Sequence, residues 1–561
     1  MSLSDRLRDA GLPVSLCTVI TSLLDATDPA APDRYLTSAE VEADLELMVC
    51  EPNRYLFDPQ MDLHVGTLHF KPNRLYGREK QCEQVDSAFN RIIVTQEETH
   101  GYLLISGPPG SGKTALVEKL RDSLAERRGM FVWIKFDSQQ QEDPMVNICR
   151  GLDEYFQRLL RGDPNLLSDI GIAVKEALGS NMAVMKDLIP ALEFVAGGWP
   201  ESHHETEGRE TYNLILHCLK KIVNAIAHPS HPVIVLFDDL QWSDAASQDI
   251  IRMLVTDEAS VAAMFIGCYR DNEVDESHPV AENVGAILMS LVPLATIRLG
   301  NLDKESVNDL CSDVLHLSPR ITRPLAVALH SKTNGNPMFV RQLMRSLYED
   351  GLLQYAASER RWRWDIDAIR TKAVADNAVD LLIAMMASYG PEVRRLLQVA
   401  SCLGFRFDVT VFTLLMSASD DLGASGANIS SHIETVMADG LLLMDGANAY
   451  RFSHDQIWLA AYSLTPLTER SELHLLVGRQ LREQATKGGY IDKYLFTAAD
   501  QLNRGVGVVS NHAEELEIAE LNLRAGEKAL SAFLFQPAST YLLQGSALIN
   551  EDDWETLTRR V

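Results

Sequence analysis

Apolar residues recur along this chain with two different periods. Between about residues 75 and 300, short unbroken apolar runs alternate with stretches of helical spacing. The runs are residues 102–106 (YLLIS), 130–136 (MFVWIKF), 233–237 (VIVLF) and 261–268 (VAAMFIGC). Runs of this length without polar alternation predict parallel strands buried on both faces, with the intervening helices completing an α/β layer. Ahead of them, residues 15–24 and 37–49 predict two helices, broken at Pro29 and Pro32. Residues 51–72, with Pro52, Pro59 and Pro72, read as a linker.

After residue 300 the spacing is helical, with two exceptions. Residues 352–355 and 362–364 predict a hairpin turning through 357–360, and residues 440–444 and 449–452 predict a second turning at Asp445-Gly446. Helices followed by such a hairpin predict a winged helix, with 417–430 as a loop inside it. Residues 521–549 give two Ala/Leu-rich stretches split at Pro537, a good first-turn residue, and read as one tetratricopeptide-like pair. The expected divisions are 1–50, a linker over 51–74, an α/β domain over 75–300, a helical lid with a hairpin over 301–378, a winged helix over 379–465, and an incomplete helical region over 466–561.

Composition narrows the function classes. The 561 residues are 46% apolar and 23% charged, which excludes a disordered, collagenous or rod-like chain. There are 51 Lys and Arg against 78 Asp and Glu, a formal charge of −27, which argues against nonspecific nucleic-acid binding. The eight cysteines include no CxxC pair, so reduced, buried thiols are expected rather than a metal or redox centre. No run approaches the roughly 18 apolar residues of a membrane span, and the N-terminus lacks a signal-peptide pattern, so a cytoplasmic protein is expected.

The strongest chemical signal is Gly107-Pro108-Pro109-Gly110-Ser111-Gly112-Lys113-Thr114, followed by Ala115 and a helical run to residue 125. It fits GxxxxGK[ST] between a strand and a helix. Glycines let backbone N–H groups wrap phosphate oxygens; Lys113 would reach the β- and γ-phosphates and Thr114 would ligate Mg²⁺. The run 233–237 ends in Asp238 and Asp239. Asp238 would hold the metal through water, and Asp239 would position the attacking water or only cap the following helix. Arg270, after the next strand, would sense the γ-phosphate or form a structural salt bridge. Trp242 reads as packing.

These residues, in this order, resemble the STAND-class P-loop ATPases of the AAA-like superfamily, in particular the ATPase module of large signalling kinases that is related to origin-recognition ATPases. Leu75-Tyr76-Gly77-Arg78-Glu79 resembles the family's opening motif, whose backbone and arginine lie near the nucleotide base. Phe237 to Asp244, Tyr269 to Val274, and Asn334-Gly335-Asn336-Pro337 resemble its acidic strand, its sensor strand and its GNP element. The resemblance implies ATP or ADP with Mg²⁺ as ligands and Pro337 close to the nucleotide. It implies His454, in Phe452-Ser453-His454-Asp455, as a β-phosphate contact closing the winged helix over ADP; a capped helix start with a structural histidine is the local alternative. Residues 33–45 resemble the end of a serine/threonine kinase C-lobe, with Arg34 lacking its glutamate partner. No kinase catalytic motif accompanies them.

Two departures stand out. Asp239 replaces the usual glutamate, which implies slow hydrolysis, and the lid has no assignable second arginine. Arg360-Arg361-Trp362-Arg363-Trp364 reads as a structural strand rather than a nucleic-acid platform, and His203-His204 with Glu205 and Glu207 as a solvated loop rather than a metal site. The expected protein is an ATP-binding switch of low turnover. Its expected partners are other signalling proteins or further domains of a parent polypeptide, with nucleotide-dependent self-association. A DNA-binding ATPase of the origin-recognition type and a regulatory fragment of a kinase are the alternatives.

Overall fold

The computed structural model describes residues 6–7, 9–24, 35–56, 66–71, 74–95, 100–136, 144–199, 209–290, 292–356, 361–371, 378–418, 429–445, 449–488, 491–531, 535–550 and 553. Arg34, the 203–207 cluster, Arg360, the first hairpin turn, Gly446 of the second and residues 419–428 of the expected loop lie outside these residues. The chain forms two compact units. The first is 1–83, 110–118 and 299–381; the second is 84–109, 119–298 and 382–561.

The second unit is built on a five-stranded parallel sheet. Its strands are β1 (His100–Ser106), β2 (Met130–Lys135), β3 (Val233–Asp238), β4 (Ala263–Tyr269) and β5 (Leu294–Arg298), in the order β2-β3-β4-β1-β5. β3 is buried along its whole length, and β1 and β4 at all but their last residue, as their unbroken apolar runs require. β5 was not expected. It is an edge strand with one buried residue, Ile297, so its sequence carries no continuous apolar run. The register sets Ser106 beside Tyr269 and Phe237 beside Gly267, so Ser106, Asp238 and Tyr269 end at one carboxyl edge of the sheet. Open α/β sheets place their ligands outside that edge. The expected helix after the glycine loop is two pieces, Lys113–Glu118 and Leu120–Ala125.

C-terminal to residue 381 the same unit is mostly helical. The expected hairpin is β9 (Leu442–Asp445) with β10 (Ala449–Phe452), and a further strand, β8 (Arg406–Asp408), pairs antiparallel with β10. Three residues are too few to show a period, so β8 carries no strand signal in the sequence. Among the described residues the C-terminal region holds two helix pairs, Leu467–Gly488 with Ile491–Gly505 and His512–Ser531 with Phe535–Ser546, the second overlapping the pair expected over 521–549. The helix Phe535–Ser546 begins two residues before Pro537.

In the first unit, helices Lys304–Leu315, Pro319–Thr333 and Pro337–Glu349 enclose an apolar core with the hairpin β6 (Leu353–Ala356) and β7 (Arg361–Trp364). Trp362 is buried there against Tyr348 and Tyr355, which fits the structural-strand reading. The segment expected as a linker is partly folded: Pro52–Tyr55 is a helical turn, and Lys71 and Arg74 pair with buried Asp313, which also accepts from the Tyr76 hydroxyl just beyond the segment. The N-terminal helices are Val14–Leu24 and Ser38–Cys50, the second capped by Thr37. Asp44 on it is buried, accepting from the Tyr35 and Ser318 hydroxyls and pairing with Arg320. All eight cysteines are free thiols. Cys50 is exposed, against expectation, because it sits at the solvent face of its helix end.

Candidate functional site

In the first unit, residues 110–115 of the glycine loop lie against the start of the helix Pro337–Glu349. Gly110 and Gly112 have φ of 75° and 94°, the left-handed region that glycine alone enters without strain. A Cβ on Gly110 would also lie 2.9 Å from Asn336 Oδ1 and 3.0 Å from Met338 Cβ, so the loop closely approaches the start of the helix Pro337–Glu349. A Cβ on Gly112 would meet nothing within 4 Å, so there the backbone alone demands glycine. Lys113 is buried at the start of its helix, and Thr114 and Ala115 are half-buried behind it. The Ser111 hydroxyl is buried with no hydrogen-bond partner among the described residues. An unpartnered buried donor inside a glycine-lined turn fits an anionic oxygen ligand.

The GNP element follows from local rules. Asn334 and Gly335 both take positive φ and end the helix Pro319–Thr333. A Cβ at Gly335 would lie 2.0 Å from Leu302 O, so only glycine fits. Asn336 caps the next helix, its Oδ1 accepting from the Met338 and Phe339 amides at 3.1 and 3.3 Å, and Pro337 takes the first helical position. Thus Pro337 begins the helix whose cap packs on Gly110. Gly77 has φ 60°, and a Cβ there would lie 2.0 Å from Ser306 Oγ. Arg78 is buried and donates from Nη2 to Ser111 O at 3.2 Å and to Gly300 O at 2.5 Å. Burial pulls its guanidinium below the ordinary value, against the charge of Asp303.

The second unit holds the acidic group. Asp238 is buried at the end of β3. Asp239 has φ 57° and does not cap the following helix; Asp244 does, accepting from the Ser247 amide at 2.8 Å. The capping alternative for Asp239 is therefore not realised. Its two oxygens are engaged elsewhere. Lys135 Nζ lies 3.1 Å from Oδ2 and Gln241 Nε2 donates to Oδ1 at 3.0 Å. Burial works to raise this carboxyl, but Lys135, Gln241 and the charge of Arg270 outweigh it and hold it below the usual range.

Arg270, just past β4, is 8% exposed. Its Nη1 donates to Glu273 at 2.6 Å, its Nη2 pairs with Asp455, and its guanidinium lies 4.7 Å over the Trp242 ring. The salt-bridge alternative is thus the one present in this structure, and Trp242 packs as expected while also carrying the cation. His454 caps the helix Asp455–Ser463, with Nδ1 3.2 Å from the Gln456 amide and 2.7 Å from Asp455 Oδ1. The β8–β10 region makes further contacts to the sheet side of this unit. Lys135 lies 3.7 Å over Phe405, Arg406 pairs with Glu154 at 2.6 Å, and Arg451 stands over Trp133.

Sequence reasoning missed Lys135, Gln241 and Asn336. A signal existed for two of them: Lys135 is the lone cation in an apolar strand, and Asn336 precedes a proline at a helix start. No group of three metal-ligating side chains occurs among the described residues, and none of the described helices is long and apolar enough to cross a membrane.

Residues 74–266 match the family described as the AAA ATPase domain. The match runs from the opening motif through the phosphate loop and the Asp238–Asp239 strand into β4, and so spans both acidic and phosphate-loop motifs. Over 86% of its length the chain is 22% identical to hybrid signal transduction histidine kinase G of Dictyostelium discoideum, and it spans 17% of that protein. Among solved structures it is similar to a Pyrococcus horikoshii signal transduction ATPase with numerous domains carrying a tetratricopeptide repeat sensor. The identity is 12% and the TM-score 0.47, covering 86% of this chain and 55% of that one. It is also similar to the Aeropyrum pernix ORC1 protein solved with DNA, at 15% identity and TM-score 0.32, covering 71% and 95%.

Proposed function

We propose that this chain is an ATP-binding signalling ATPase acting as a nucleotide-dependent switch, with slow Mg²⁺-dependent hydrolysis. The observation that carries the reading is the pairing of Arg270 with Asp455. It joins the end of the sensor strand β4 to the helix headed by His454, so whatever competes for Arg270 acts on that helix. In this reading the polyphosphate lies on residues 107–115, with Lys113 on its outer phosphates and Gly77 and Pro337 near the nucleoside. Thr114 and Asp238 hold Mg²⁺, which when bound supplies charge neutralisation at the phosphates.

Asp239 is the water-positioning carboxylate. Its engagement with Lys135 and Gln241 supports low turnover, because a carboxylate with both oxygens occupied is a poor acceptor for a water proton. A γ-phosphate attracts Arg270 away from Asp455; ADP leaves the pair intact and His454 at its helix start. The residues 379–465 act as the winged-helix element that this pair fastens. Ligand-dependent switching requires such differential contacts in the two states. The similarity to one segment of a much longer signalling kinase supports partners of that kind: further domains of a parent polypeptide, other signalling proteins, or a second copy.

Hydrogen exchange of the full chain with Mg-ADP and with a nonhydrolysable ATP analogue tests this reading, together with particle mass and phosphate release. Residues 455–463 should lose protection with the ATP analogue relative to ADP. Equal protection in both states would refute the switch.

A further inference from the structure

The resemblance places the arginine of the opening motif near the nucleotide base, yet here its guanidinium is spent on backbone. One nitrogen, Nη2, donates to two carbonyls, Ser111 O inside the phosphate loop and Gly300 O at the start of the lid segment. Both lie in the first unit with Arg78. The neighbouring Gly77 fixes where the guanidinium starts: its φ of 60° and its fit against Ser306 Oγ allow no side chain there. Ser306 is itself tied by its amide to Asp303, the cap of the helix Lys304–Leu315. The opening motif is thus clamped to the lid on one side and reaches the phosphate loop on the other.

The chemistry of this contact follows from what it removes. A loop that binds phosphate through backbone N–H groups is weakened by carbonyls turned toward the anion, because their negative ends repel it. A buried guanidinium that takes up the Ser111 carbonyl holds that oxygen away from the anion and leaves the neighbouring amides and the unpartnered Ser111 hydroxyl for it. A second clamp lies on the same loop, where Asn336 and Met338 stand against Gly110.

We propose that Arg78 is a positioning residue for the phosphate loop, acting on polyphosphate affinity through the Ser111 carbonyl rather than by contact with the base. This rests on the nucleotide-binding reading above and sharpens it. The two roles separate on a ligand without a base. If Arg78 sets the loop, its loss weakens Mg²⁺-tripolyphosphate and Mg-ATP alike. If it reads the base, only ATP suffers.

The test is calorimetric titration of the full chain with Mg-ATP and with Mg²⁺-tripolyphosphate, for the wild type, Arg78→Ala and Arg78→Lys. The expected result is a loss of about tenfold or more for both ligands in Arg78→Ala, by the same factor, as follows from removing one charge-assisted hydrogen bond. Arg78→Lys, which keeps the charge and at least one donor, should recover part of the affinity for both. Thermal unfolding without ligand accompanies each titration, and if Arg78→Ala fails to fold, the ratio of the two losses in Arg78→Lys decides. A loss confined to ATP, or no loss for either ligand, overturns the role. A wild-type chain that binds neither ligand refutes the nucleotide-binding reading itself, and the role of Arg78 with it.

Discussion

Arg270 and Asp455 form an ion pair in which both side chains are largely buried, at 10% and 13% exposure, with Trp242 stacked on the guanidinium. Glu273 is a second carboxylate on the same arginine. A guanidinium so enclosed is poorly hydrated, and its partners set its position. Replacing Asp455 by Ala should cost about 1–3 kcal/mol of stability, limited by the surviving bond to Glu273. It should also raise the exchange of 455–463 in the ADP state to the level of the ATP-analogue state. Denaturation and hydrogen exchange measure the two effects; an ADP state as protected as the wild type would sink the proposed role of the pair.

Lys113→Ala should reduce nucleotide affinity by about 10–100-fold, the worth of a charge-assisted contact to phosphate. Fluorescent ADP titration measures it. An unchanged dissociation constant would remove the phosphate-site assignment.

Asp239 is held by Lys135 and Gln241 rather than standing free. Asp239→Asn should leave nucleotide binding intact and stop phosphate release, whereas Lys135→Met, by freeing one carboxylate oxygen, should raise basal turnover severalfold. Single-turnover phosphate release reads both. Faster release by Asp239→Asn, or none of the expected gain with Lys135→Met, would contradict the assigned restraint.

His474 sits buried between the Gln501 side chain and the Tyr462 hydroxyl, at 2.7 and 2.8 Å. Burial lowers its pKa below the ordinary histidine value, with Gln501 acting against it and Arg504 and Arg470 adding to it. The folded chain therefore binds fewer protons here than the unfolded chain as pH falls through about 6.5. Stability should drop with acidification from that point down to the depressed folded value and level off below it. Urea midpoints between about pH 7 and pH 5 test this, and His474→Gln should flatten the slope.

Asp44 gathers the Tyr35 and Ser318 hydroxyls and Arg320, and Arg320 lies 4.0 Å over the Tyr35 ring. Asp44→Ala should cost about 1–3 kcal/mol by stranding these donors. Hydrogen exchange should quicken in the helix Ser38–Cys50 before the rest of the first unit. Uniform exchange would mean that this carboxylate does not fasten the N-terminal helices.

Much of the fold was legible because it rests on local rules. The four long apolar runs became strands β1 to β4; in β1, β3 and β4 burial on both faces leaves a mark on every residue, while β2 is an edge strand that buries only Val132 and Ile134. The edge strand β5 and the three-residue β8 left none. The phosphate loop was legible for the same local reason: Gly110 and Gly112 require φ that other residues resist.

The sequence by itself determined the chemistry that a backbone can enforce within a few residues: the glycine turn and its lysine, the acidic end of β3, and the Asn-Gly-Asn-Pro turn that ends one helix and caps the next. Tertiary structure alone decided the partners. Arg78 is bound to Ser111 and Gly300, Arg270 to Asp455, and Lys135 to Asp239 and Phe405. Each pairing joins positions far apart in the chain, and a charged side chain carries no mark of which opposite group the fold will bring to it. Local sterics fix the backbone; strand order and helix packing choose which charge it meets.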